Sequence, residues 1–165
     1  MDLAWIESEG GPVVLVEESL RRLWGGYTNS DYDNACEVDG YTGPVPFGEP
    51  SAPSLAFAIN DIPAPTTYME EFRALVQWIA APSDDRLVEV VRGGIDFVKE
   101  WEDGPVVQVN GRLALFDAAL PGTQAAADEL LLVDVEPAVY RLRTADIESD
   151  TGTCARVHRL DRLIE

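Results

Sequence analysis

Short runs of β-favouring residues recur along this chain, many bounded by glycine, proline or asparagine, while its longer helical patterns are confined to the middle. The first run, 13–16 (VVLV), opens behind Gly10, Gly11 and Pro12, as suits a strand, because proline cannot sit inside a central ladder. Further runs lie at 54–59, 106–109, 113–116, 130–135, 139–144 and 156–160, and 45–47 adds a short edge candidate in a segment rich in glycine and proline. Strands, then helices, then strands is an order without alternating βαβ units. It predicts an α+β fold around an antiparallel sheet of about six to eight short strands.

Two central helices are expected between the strand groups. Phe72, Leu75, Val76 and Ile79 fall at i, i+3, i+4 and i+7, and Thr67 and Glu70 have capping-box spacing, so a helix is predicted over about 67–81, ended by Pro82. Ser83 can cap a second over about 84–92, with Asp84 and Asp85 in its first turn and Leu87, Val88 and Val91 on its apolar face. Shorter helical turns fit 19–24 and 31–36, the latter capped by Ser30 or Asp31. Asn110 and Gly111 suit a two-residue hairpin, and 124–129 and 146–153 read as flexible loops. A chain of 165 residues without repeats is expected to form a single domain, 1–165.

The charge is regional. All of the net −18 lies in the first 136 residues, because the remainder carries five Arg against five Asp or Glu. Residues 23–72 hold eight carboxylates and no Lys or Arg. Such a surface repels phosphates, which argues against nucleic-acid binding, and it attracts a cationic partner. Two cysteines, Cys36 and Cys154, are too few for a disulfide framework. The first eleven residues carry acidic groups where a secretory signal carries basic ones, and no apolar run approaches the roughly 20 residues of a membrane span. A cytoplasmic setting is expected.

Catalytic arrangements are scarce. The one histidine, His158, lies four positions after Cys154, about 13 Å away along a strand, too far to share a proton, so it reads as a surface residue on an edge strand. Two Cys and one His do not make a zinc site. Asp31, Asp33 and Asp39 lack the glycine and bidentate glutamate of a calcium loop. The adjacent carboxylate pairs 17–18, 70–71 and 84–85 diverge on either a helix or a strand, and no phosphate-binding glycine loop occurs. No metal, cofactor or catalytic residue is expected.

The run Trp5-Ile6-Glu7-Ser8, then Gly10-Gly11-Pro12 and an apolar strand, then Leu23-Trp24-Gly25-Gly26, resembles the immunity protein 21 family of bacterial polymorphic toxin systems. The next block agrees: Asp31-Tyr32-Asp33, Ala35-Cys36, Val38-Asp39-Gly40 and the Gly48 loop, followed by Phe72-Arg73, Leu75 and Trp78-Ile79-Ala80. The likeness is closest over the first 80 or so residues, and the tail after Arg143 departs from the family pattern. The resemblance implies a non-catalytic, monomeric antitoxin that neutralises a cognate toxin domain by stoichiometric binding in the cytoplasm. The uninterrupted acidic run then points to a basic toxin, with Asp31, Asp33, Glu37 and Asp39 facing it and Tyr32 as an anchor. A competing expectation is a small-molecule-binding or carboxylate-based enzyme domain with a pocket near Trp5 and Trp24.

Overall fold

The structure, a computed structural model, describes residues 3–163. Among these, ten strands follow in order: β1 (Val13–Glu17), β2 (Thr42–Phe47), β3 (Ser54–Ile59), β4 (Thr66–Met69), β5 (Ala74–Ala80), β6 (Glu102–Val109), β7 (Leu113–Asp117), β8 (Leu131–Val133), β9 (Ala138–Glu148) and β10 (Cys154–Arg162). Two helices accompany them, α1 (Asp31–Cys36) and α2 (Asp84–Gly94). The strands form two antiparallel five-stranded sheets, β2-β3-β1-β7-β8 and β4-β5-β10-β9-β6. The class is α+β, with ten strands where six to eight were expected.

Alternation along each strand separates three apolar clusters. Val13 and Leu15 of β1, Phe57 and Ile59 of β3, Leu75 of β5, Tyr140 and Leu142 of β9 and Leu160 of β10 meet in one core between the sheets. The opposite residues of the first sheet, Val14, Val16, Ala56, Ala58 and Phe116, pack outward against Trp24 and Ala35. Those of the second, Val76, Ala155 and Val157, pack outward against Leu87, Val91 and Ile95 of the α2 region. Each sheet is therefore covered on both faces, which is why its central strands read as continuous apolar runs.

The helix expected over 67–81 is instead the β4–β5 hairpin. Thr66, Thr67, Tyr68, Val76 and Trp78 favour the pleated backbone, and a 3₁₀ turn at Glu70–Phe72 followed by Arg73 in the left-handed region (φ 50°) reverses the chain. Burial on both faces of β5 produces apolar residues at helical spacing as a by-product of a filled strand. The Asn110-Gly111 hairpin is also absent: β6 pairs with β9 and β7 with β1 and β8, so the turn is a corner between sheets. Residues 146–148, expected in a loop, extend β9. The second helix forms as expected and runs to Gly94, with the Ser83 hydroxyl accepting from the Arg86 N–H at 3.2 Å.

His158 is not on an edge. It lies on β10, the middle strand of the second sheet, fully buried. Its ring bridges Thr144 Oγ1 (2.8 Å to Nδ1) and Gln77 Oε1 (2.7 Å to Nε2), while the Gln77 amide donates to the Ile62 carbonyl at 3.0 Å. With Gln77 Oε1 accepting, Nε2 carries the proton and Nδ1 accepts from the Thr144 hydroxyl. Burial pushes the imidazole pKa down to about 3, and it is neutral.

The sheet margins are obstructed. Pro44 and Pro46 of β2 have no N–H to offer, β8 is three residues long, and β6 shifts register between Asp103 and Val106. At β4, Ile6 and Thr66 exchange two backbone hydrogen bonds of 2.9 Å.

Candidate partner-binding face

The segment that carries the acidic run is held on the outer face of the first sheet by its least polar members. Trp24 fills the outer cluster, donates its indole N–H to the Ala118 carbonyl at 2.9 Å and meets Phe47 edge-on. Gly26 follows with φ +57°, where a Cβ would come within 2.5 Å of the Ala119 carbonyl oxygen, so only glycine lets the chain pass. The turn then delivers α1, whose Ala35 is sealed against the sheet. Asn60 closes the far end by donating to the Val38 carbonyl at 2.9 Å.

This anchoring sorts the five residues expected to face a partner. Asp31 is only 6% exposed: its Oδ2 accepts from the Gly25 N–H at 2.9 Å, and its own N–H donates to Asn29 Oδ1 at 2.8 Å. Tyr32 is half-buried against the outer cluster with its hydroxyl beside Gly11, and its phenol pKa is raised, first by a hydrogen bond with Cys36 and then by burial. Asp33, Glu37 and Asp39 are exposed and form no ion pair among the described residues. The same holds for Glu49 in the loop after β2.

The arginines are disposed otherwise. On the second sheet Arg143 pairs with Asp103 and Asp161, Arg159 with Asp161, Arg162 with Glu136 and Arg156 with Asp61 and Asp146. These four arginines are neutralised where they stand, whereas Asp33, Glu37, Asp39 and Glu49 are among the carboxylates that form no ion pair among the described residues.

A family model for immunity protein 21 matches residues 4–153. The chain belongs to the immunity protein 21 family. No curated protein and no solved structure matches it. The family match includes α1 and the whole acidic run and stops one residue before β10, so this member of the immunity protein 21 family builds the centre of its second sheet from residues beyond the match. The match runs ten residues past Arg143, so the departure from the family pattern expected after that residue does not hold over 144–153.

Beside α1 lies a groove of about 350 Å³, lined by the apolar Leu23, Pro46, Phe47, Pro50 and Pro53 and by the polar Asn29, Ser30, Asp31 and Asn34. None of its apolar residues was singled out in the sequence as a partner contact. The signal available was the proline density of 44–53, which reads as loop from sequence and here forms a rigid wall. Tyr27, 63% exposed in the turn before α1, was likewise missed.

The pocket expected near Trp5 and Trp24 does not form. Trp24 belongs to the outer cluster of the first sheet, whereas Trp5 packs edge-on against Trp78 in the outer cluster of the second, 5.4 Å between ring centroids. Among the described residues, no three or more His, Cys, Asp or Glu are grouped to hold a metal ion, and no helix is long and apolar enough to cross a membrane.

Proposed function

We propose that this immunity protein 21 family member neutralises a cognate basic toxin domain by stoichiometric, non-catalytic binding in the cytoplasm, as a monomer whose residues 1–165 act as one domain. The observation that carries the reading is the group of exposed, unpaired carboxylates Asp33, Glu37, Asp39 and Glu49 on a face whose backbone is pinned to a sheet. A field of one sign speeds encounter with an oppositely charged partner and disfavours wrong ones, while a packed apolar centre holds the complex. Asp31 serves this face by fixing the turn before α1, and the half-buried Tyr32 by seating the helix on the sheet.

The test is co-purification with a candidate toxin domain taken from the neighbouring open reading frame, followed by a salt titration. A tight 1:1 complex that weakens as ionic strength screens the charges is the expected result. A tight complex insensitive to salt would keep the immunity role and remove the acidic face from it. Absence of any complex would overturn the proposal.

A further inference from the structure

The groove beside α1 combines two features that rarely share one surface. Part of its lining is apolar and stiff, three prolines and Leu23 with Phe47, which is itself held by its edge contact with Trp24, 5.5 Å between centroids; Asn29, Ser30 and Asn34 make the remainder polar. A carboxylate also lines it. Asp31 is more than nine-tenths buried, and only its Oδ2 is used, on the Gly25 N–H; Oδ1 accepts no hydrogen bond among the described residues. Oδ1 is not sealed: it keeps contact with solvent and is open to an incoming donor.

Long basic side chains match this pairing. Lys and Arg lay an aliphatic stem along apolar surface and carry their donors at the tip, and unlike Tyr, Trp and neutral His, which also join an apolar body to a donor, they bring a positive charge to the carboxylate. The surroundings agree in sign, since no Lys or Arg occurs between residues 23 and 72 and the carboxylates of Asp33, Glu37 and Glu49 are unpaired. We infer that the groove receives one Lys or Arg side chain of the toxin domain, its stem against Leu23, Phe47 and the prolines and its cation on Asp31 Oδ1. The inference rests on the proposed immunity function and deepens it, because it makes the buried Asp31 a direct contact within the acidic face.

Three variants separate the possibilities against that candidate toxin domain. Asp31→Asn keeps an oxygen for the Gly25 N–H and removes the charge. Asn34→Arg, on the exposed side of α1 at the groove, supplies a cation of the protein's own and tests the site without altering the buried carboxylate. Asp150→Asn removes an equal charge from the exposed β9–β10 turn of the other sheet. The expected result is a weakening of roughly tenfold or more for Asp31→Asn and Asn34→Arg, as for loss of a desolvated charged hydrogen bond, with less than about twofold change for Asp150→Asn. Wild-type affinity in Asn34→Arg, whose melting transition matches the wild type, would overturn the groove and leave the immunity function standing. Failure of the wild-type protein to bind would overturn both.

Discussion

Arg156 and Asp61, 95 positions apart in sequence, meet at 2.6 Å and tie β10 in the second sheet to the loop that follows β3 in the first. The same guanidinium grips Asp146 through two nitrogens at 2.8 and 3.1 Å and lies 4.4 Å above the Tyr41 ring. Hydrogen bonds to both carboxylates raise its pKa and keep it charged. Arg156→Met therefore strips a nearly buried cation from three partners and should cost about 2 to 3 kcal/mol of stability. Arg156→Lys should not restore it, because an ammonium cannot serve a bidentate carboxylate and a stacked ring together. Urea denaturation of the two variants checks both statements.

His158 makes the protein acid-sensitive. Its folded pKa of about 3 lies below the ordinary 6.5, chiefly through burial and then through Arg156. The unfolded chain takes up a proton as pH falls through 6.5 and the native state does not, so the contribution is whole above pH 6.5 and drains away between there and about pH 3. The slope from this one group reaches about 1.4 kcal/mol per pH unit. Calorimetric melting across that window, compared with His158→Gln, should show a shallower acid decline in the variant despite its lower stability at pH 7.

Deleting residues 154–165 should abolish folding. β10 pairs with β5 on one side and β9 on the other, and its Ala155, Val157 and Leu160 enter both clusters that flank the second sheet. The truncated chain should give no cooperative thermal transition by near-ultraviolet circular dichroism. It should also lose toxin binding, although the candidate face lies entirely on the first sheet.

Ser83 caps α2 through its hydroxyl, and Ser83→Ala should cost about 1 kcal/mol. Ser83→Asp should recover most of that loss in chemical denaturation, since an aspartate at the same position accepts the Arg86 N–H.

Reversing Asp33 and Asp39 to Lys should act on encounter. Both are exposed at the rim, so the association rate constant should fall by roughly tenfold at low salt, with the dissociation rate far less altered. Stopped-flow mixing at two ionic strengths reads the two rates separately, and the difference from wild type should shrink at the higher one.

The sequence made some of this architecture plain and concealed the rest for identifiable reasons. β1, β3 and α2 were legible because local preference and tertiary demand agree there: β-branched residues bounded by turns, and a serine cap before an amphipathic run. β5 was misread because a strand buried on both faces loses the two-residue alternation that marks a strand, and Thr67 to Glu70 mimics a cap. The Asn110-Gly111 corner has hairpin chemistry, yet its flanking strands find better partners in different sheets. Of the candidate site, the charge could be read directly, since a missing cation is visible in sequence. The burial of Asp31 could not, because it depends on the Gly25 N–H six residues back.

The obstructed margins of both sheets decide what kind of change can retarget this protein. A newcomer that docks by lengthening a sheet needs an open row of donors and acceptors, and the prolines of β2, the brevity of β8, the Ile6 clasp on β4 and the register shift in β6 deny it one. On the proposed reading, recognition then falls to side chains carried on turns and a six-residue helix, outside the hydrogen-bonded frame. Target choice can then be rewritten residue by residue, with the scaffold untouched, so two proteins sharing this backbone could discriminate between rival toxins through a handful of surface substitutions.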